Sequence, residues 1–482
     1  MTQEQKISNG IKILLIYPRY GTEVSSLAKL LEIKIPPLGL AYLASALEER
    51  GHRVKIIDAE VEEMDFEELG KKVKEYNPDL IGISTVTLIF KKTRETAGYL
   101  KKIIPQTPIV VGGPHLSSFP IITLEFNEFD FGIVGEGEIT ICELAEALKD
   151  KRKFEEVKGL VFRQGEKIIK TEPREFISNL DILPFPAWHL LPLEKYHDIL
   201  TKRKRFATMI SSRGCPFNCI YCDPECRMGK KFRDRSPENL IKEVELLYNK
   251  YQTREICFYD DTFTVDKDRV IKFCQELIKK EFDLVWECRT RVDCVNEDLI
   301  KIMKQARCYR IRFGIEAANE NILRILRKGI NKEQIRNAFS WCKKYGIETF
   351  AYFMLGCPEE TKETVEESIS LALEINPDYV MFSPTLLHGQ NTELFRWASK
   401  NGYIESDYWT RWLKGEDLET FPVLNTKKLN KEDILHYTQV AYRKFYFRPV
   451  FIWKMLKKCK NYKTFKEYSL IALSLLSKKF KG

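Results

Sequence analysis

The chain has 482 residues, 44% of them hydrophobic and 30% charged, the balance of a globular protein with enough apolar material for two or three cored domains. No apolar run reaches the length of a membrane span, and the polar start Met1–Gly10 lacks the apolar segment of a secretion signal; thirteen cysteines then point to thiols in a reducing cytoplasm, not to a disulfide framework. The net charge of +9 is uneven: from Phe421 to Gly482 fifteen Lys and Arg face three Asp and Glu, leaving +12 there and −3 over the remainder.

Ile11–Tyr17 (IKILLIY) is almost continuously apolar, the pattern of a strand buried on both faces. Pro37–Glu49 has helical spacing and stops at Gly51. Arg53–Asp58 predicts a second strand, Phe66–Tyr76 a helix, and Leu80–Val86 a third strand carrying Ser84 and Thr85 near its end. A helix over Thr93–Ile104 leads to the strand Pro108–Val111, which closes on Gly112–Gly113–Pro114–His115. Asp130–Val134 is a fifth strand, followed by Gly135–Glu136–Gly137–Glu138 and a helix from Thr140. This alternation predicts a doubly wound, Rossmann-like parallel α/β sheet within residues 1–150, with a ligand at the carboxyl ends of its strands. Glycines after two successive strands allow close backbone approach by such a ligand; ordinary strand-to-helix turns are the alternative.

Val157–Glu175 reads as a polar hairpin turning at Gln164–Gly165–Glu166, and the proline-rich Leu180–Leu191 as a packed linker, so residues 151–199 connect two domains. Strands over Ala207–Ser211, Glu255–Tyr259, Leu284–Cys288, Tyr309–Ile315, Glu348–Leu355 and Asp378–Ser383 then alternate with helices. Those helices cover Ser236–Tyr251, Lys267–Lys280, Glu297–Gln305, Lys332–Tyr345 and Lys362–Ile375. Six such units within 200–395 predict a partial (β/α)6 barrel with its chemistry at the carboxyl ends of the strands. Residues 396–482 predict a helical, basic region. Tyr437–Phe447, Val450–Leu456 and Lys463–Phe480 interleave aromatic and aliphatic residues with Lys and Arg. Such helices suit an anionic membrane surface, or a solvated face packed on the barrel.

Between the first barrel strand and its helix lie Cys215, Cys219 and Cys222, a C-x3-C-x2-C arrangement. A loop this short can gather three thiolates on one iron–sulfur cluster at small cost in chain entropy, and three ligands on four irons leave one iron open for chemistry. A zinc site completed by Cys226, or three incidental thiols, are the competing readings. Cys288, Cys308 and Cys357 fall near the same barrel face and read as buried thiols.

With Tyr221 before its third cysteine, the motif resembles that of the radical S-adenosylmethionine superfamily. The resemblance implies a 4Fe-4S cluster whose open iron chelates the methionyl group of S-adenosylmethionine, and reductive cleavage to a deoxyadenosyl radical. It also implies that Asp260 or Asp261 meets the methionyl ammonium, that Arg289 or Arg291 neutralises its carboxylate, and that Glu316 faces the ribose hydroxyls. Gly356–Cys357–Pro358–Glu359–Glu360–Thr361 resembles the G-x-P-G-E-T turn beside the adenine, with Glu359 where glycine is usual.

Pro36–Pro37–Leu38–Gly39, Gly51–His52–Arg53–Val54, Val111–Gly112–Gly113–Pro114–His115 and Val134–Gly135–Glu136–Gly137–Glu138 resemble the cobalamin-binding domain that precedes many of these enzymes. None of the six histidines fits the D-x-H-x-x-G motif, so the resemblance implies cobalamin held without a histidine lower ligand, with Ser84, Thr85, His115 and the glycine turns around it. Together the motifs imply a cobalamin-dependent methyltransferase acting on an unactivated carbon of a small molecule, or of a lipid or isoprenoid where the tail meets a membrane. An electron donor such as flavodoxin or ferredoxin is implied, and no nucleic-acid partner. The alternatives are a radical oxidative cyclase, and a non-catalytic cobalamin sensor with structural zinc. A methylthiotransferase would place three further cysteines in the first domain, which has only Cys142.

Overall fold

The computed structural model describes residues 10–20, 33–223 and 228–458; Cys226 and the lysine-rich stretch 463–480 lie outside them. Ile13 to Ile16 of β1 (Lys12–Tyr17) have no exposure to solvent, so the strand is covered on both faces. It pairs in parallel with β2 (Arg53–Asp58) and with β3 (Leu80–Ser84), and β4 (Ile109–Gly112) and β5 (Phe131–Ile133) continue the sheet beyond β3. The order β2-β1-β3-β4-β5 reverses between β1 and β3, where sheets of this kind receive ligands beyond the strands' carboxyl ends. Leu38–Glu49 and Glu138–Asp150 bury one face of the sheet with Ile13 and Leu15; Phe66–Tyr76 and Phe90–Ile103 bury the other with Leu14 and Ile16.

The hairpin departs from its expected role as a connector. β6 (Leu160–Gln164) pairs antiparallel with β5, and β7 (Lys167–Lys170) with β6, so the first sheet has seven strands. The physical reason is the three-residue β5, which would otherwise leave an open edge; Leu160, Val161 and Phe162 cover it and are buried.

In the second domain β8 (Phe206–Met209) lies at one edge of a six-stranded parallel sheet, and β9 (Ser212–Arg213) and β10 (Arg233–Asp234) form a small antiparallel pair beside it. The large sheet continues through β11 (Glu255–Phe258), β12 (Val285–Thr290), β13 (Cys308–Glu316), β14 (Glu348–Leu355) and β15 (Tyr379–Pro384). β8 and β15 do not pair, so the barrel is open. Alternation explains its polar lumen: Ile311 and Phe313 of β13 pack toward the helices, whereas Arg310 and Arg312 between them bind Glu287 of β12 at 3.0 and 2.7 Å. Helices over Lys267–Lys280, Glu297–Gln305, Lys332–Tyr345 and Lys362–Ile375 have the expected bounds, each started by a side-chain cap from Asp266, Asn296, Asn331 or Thr361.

The C-terminal region ties both domains together. Trp409 and Trp412 of the helix Tyr408–Leu413 are buried, with ring centroids 5.7 Å from Phe119 and 6.4 Å from Phe90 of the first domain. The helix Lys431–Tyr446 packs Ile434, Ala441, Tyr442 and Phe445 onto the barrel. It starts beside Gly356 at the carboxyl end of β14 and finishes where Tyr446 hydrogen-bonds both backbone groups of Val380 at the start of β15. The next helix, Pro449–Lys458, anchors Phe451 against Phe445 and Tyr446 while Val450 and Trp453 stand 68% and 61% exposed. Among the described residues no helix is long and apolar enough to cross a membrane.

Candidate functional site

The cysteine loop leaves the barrel immediately after β8 and β9. Gly214 begins it at φ +84°, and a Cβ there would lie 2.2 Å from the Lys231 carbonyl oxygen, so only glycine makes this turn. Backbone N–H groups of Cys215 and Ile220 donate to Gly229 and Leu326. The Arg291 guanidinium stacks 3.7 Å from the Phe217 ring and donates to Cys219 Sγ at 3.7 Å; Cys215 Sγ lies 3.8 Å from Thr262 Oγ1. Among the described cysteines only Cys215, Cys219 and Cys222 escape burial. Burial pushes the thiols of Cys257, Cys274, Cys288, Cys342 and Cys357 well above the ordinary range, as expected of inert packing groups. Three accessible thiols on one short loop suit the three protein ligands of a four-iron cluster.

The flanking carboxylates have unequal positions. Asp260 is buried as a clamp: its Oδ1 accepts from the backbone N–H and the hydroxyl of both Ser211 and Ser212, pinning the strand end from which the loop springs, while its buried Oδ2 has no partner among the described residues. Burial pushes its carboxyl up, against the pull of Arg269 and those serines. Asp261, by contrast, lines the cleft described below. Arg291 is likewise spent, its fork bidentate to Asp293 at 2.9 and 2.8 Å. Arg289 lies over the Tyr259 ring at 3.6 Å and, among the described residues, has no carboxylate within ion-pair distance.

Glu316 ends β13 at φ +70°, where the register with β14 slips, a strained conformation of the kind held at functional sites. Its Oε1 accepts from Lys328 Nζ at 2.9 Å, and the same ammonium lies 3.3 Å from the Tyr221 hydroxyl. Burial, then the charges of Glu316 and Cys219, raise the Tyr221 phenol well above its ordinary range, keeping it a neutral donor. Lys328 belongs to no motif and sequence reasoning missed it. At the next strand end, Gly356 and Cys357 donate their N–H groups to Glu360 Oε2 at 2.6 and 2.9 Å. Burial raises the Glu360 carboxyl to about 7 despite those bonds. Glu359 sits at φ +64°, so the turn keeps the backbone that glycine usually provides.

A cleft of about 340 Å³ opens at the carboxyl ends of the first sheet. Ser84, Gly112, Gly113, Gly135 and Gly137 line it, with Ile210, Ser212, Arg213, Tyr259 and Asp261 contributed by the barrel domain. Ser117, unremarked in the sequence, ties its turns together: the Gly135 N–H donates to its hydroxyl, which donates to the Gly113 carbonyl. A Cβ on Gly39 or Gly135 would meet nothing within 4 Å, so the glycines leave a cradle for a ligand, and the apolar Leu40, Leu43 and Ile133 suit the flat body of a corrin. Two of the expected residues do not line the cleft, and a third is engaged elsewhere. His115 is buried, stacked 4.0 Å from Phe90 with Nδ1 on Thr87, and burial drops its pKa to about 3; no histidine lines the cleft among the described residues. Thr85 is buried and bonded to Thr93. Glu136 touches the cleft, but its carboxylate is taken by Arg213 at 2.9 Å and Arg233 at 2.8 Å, while Arg213 also binds Glu138 at 2.6 Å.

Gly39→Phe is expected to fill the cradle without strain, since its position lies in an exposed first helical turn. Titration of hydroxocobalamin should show affinity weakened by about tenfold or more, roughly 1.4 kcal/mol, with unchanged apo-protein melting. Unaltered affinity would place cobalamin elsewhere.

A larger groove, about 570 Å³, runs between outer helices of the barrel, but its Lys332 and Arg336 are spent on ion pairs with Glu367 and Glu374. It is a solvated furrow.

Residues 209–372 match the radical SAM superfamily and residues 27–145 the B12 binding domain. The chain is 35% identical over 440 residues to an uncharacterized methyltransferase of Pyrococcus horikoshii, covering 91% of this chain and 93% of that one. It is 27% identical over 459 residues to the anaerobic magnesium-protoporphyrin IX monomethyl ester cyclase of Rubrivivax gelatinosus, covering 92% and 78%. In fold it resembles the cobalamin-dependent S-adenosylmethionine radical enzyme OxsB, solved with aqua-cobalamin bound, at TM-score 0.71 and 19% identity over 97% of this chain and 71% of that one.

Proposed function

The chain belongs to the radical S-adenosylmethionine enzymes that carry a B12-binding domain, and from that premise we propose that it methylates an unactivated carbon of a small molecule. One observation carries the reading: the glycine-floored cleft is walled by both domains, so a group held on the first sheet adjoins the barrel mouth directly. When bound, the cluster with S-adenosylmethionine supplies hydrogen abstraction and cobalamin supplies the transferable methyl group. Cys215, Cys219 and Cys222 hold the cluster. Asp261, not Asp260, meets the methionyl ammonium, and Arg289, not Arg291, its carboxylate. Glu316 faces the ribose, and the Gly356 turn borders the adenine. Ser84, Gly112, Gly113, Gly135 and Gly137 hold the corrin. A one-electron donor of the flavodoxin or ferredoxin type supplies the reducing equivalent. The exposed Val450 and Trp453 support a peripheral membrane contact.

The test is anaerobic reconstitution with iron, sulfide and hydroxocobalamin, then incubation with reductant, cell extract and methyl-deuterated S-adenosylmethionine. Iron, cobalt and 5′-deoxyadenosine together, with deuterium entering one extract component, are expected. The similarity to the cyclase favours a second reading, oxidative radical chemistry without methyl transfer; deoxyadenosine formed while no deuterated methyl is transferred would establish it instead.

A further inference from the structure

Lys328 is nearly fully buried, and a lysine is rarely buried without partners that hold its charge. Its ammonium bridges Glu316 and Tyr221. Its backbone carbonyl accepts from Arg291, whose guanidinium also donates to Cys219 Sγ. One residue therefore touches the cluster loop by two routes. The surroundings are shaped for it: a Cβ on Gly314 would lie 2.7 Å from Glu316 Oε1 and 3.0 Å from Lys328 Nζ, so glycine there vacates the space the ion pair fills. The bulge that carries Glu316 at positive φ points its carboxylate to the same spot.

We propose that Lys328 is a positioning residue: it aims Glu316 at the adenosyl ribose and places a positive charge beside the cluster loop. The inference rests on the reading of Cys215, Cys219 and Cys222 as cluster ligands. A cation one hydrogen bond from Tyr221, which lies within the cluster loop, favours the reduced, more negative cluster and so raises its potential; the Glu316 carboxylate lowers it. Lys328 should therefore affect both affinity for S-adenosylmethionine and potential, whereas a loop tether would affect neither.

The experiment compares K328M, K328R and E316Q with the unaltered, fully reconstituted enzyme by iron content, midpoint potential and the KM for S-adenosylmethionine in deoxyadenosine formation. In K328M, KM is expected to rise about tenfold or more and the potential to fall, at unchanged iron content. K328R should restore the potential and recover part of KM. E316Q should also raise KM, but its potential should move upward. Opposite shifts of potential in K328M and E316Q are the signature, and E316Q preserves the test if K328M fails to load iron. Equal potentials across the series, or a K328M defect confined to melting temperature, would overturn the proposal. Failure of the unaltered protein to hold iron would instead strike at the cluster reading beneath it.

Discussion

With Cys219 replaced by alanine, the reconstituted protein is expected to lose the cluster's absorbance near 400 nm and to form deoxyadenosine at least about a thousandfold more slowly, a barrier increase of roughly 4 kcal/mol. The site explains the size of the effect. Cys219 is the thiol on which the loop's polar contacts converge: Arg291 donates to it, and Tyr221 interacts with it from two residues along. Two thiolates cannot replace a three-point anchor in a loop this short. Cys274→Ala is the control, because that thiol is buried and inert; its iron content should match that of the unaltered protein. Iron, absorbance and cleavage retained by the Cys219 variant would mean that another side chain ligates the cluster.

Arg213→Met is expected to destabilise the folded protein by about 3–5 kcal/mol, the usual consequence of removing one partner from a buried ion pair. Arg213 and Arg233 balance Glu136 and Glu138 in a quartet of two cations and two anions, all buried. Without Arg213, Glu136 keeps Arg233, while Glu138 loses its carboxylate's ion-pair partner. Urea denaturation of the apo-protein should show the drop, and Arg213→Met with Glu138→Met should lose less than the single variants combined, since the stranded charge goes too. A loss under about 1 kcal/mol would mean that water reaches the quartet. Because Arg213 directly precedes the cysteine loop and Glu136 follows the glycine turn of the cleft, iron and cobalamin loading should both decline in the single variant.

The elements were largely legible because apolar periodicity is a local property. β14 and four barrel helices have the expected bounds, and the cysteine spacing located the loop before any geometry was known. Roles that depend on pairing across the chain were not. Asp260 and Asp261 look interchangeable in sequence, yet the pleat turns one into the serine clamp and the other toward the cleft. Arg291 is taken by Asp293, and Glu136 by an arginine 77 residues away. His115 carried a polar label into a site packed like phenylalanine. Of the two readings of the basic region, packing on the barrel is the one that Lys431–Tyr446 follows, through Tyr442 and Phe445; no local pattern decided between them.

That same helix fixes a polarity for the whole molecule. It descends from the Gly356 turn at the mouth to the strand starts, where Arg448 Nη2 reaches Asn376 and the exposed Val450 and Trp453 follow. Any surface that takes up those side chains holds the protein upright, like a cup on a shelf, with its rim turned to the bulk. Substrates would then arrive from the water side or be handed over by a carrier, and an acyl or prenyl chain still embedded beneath the protein would be out of reach of the rim.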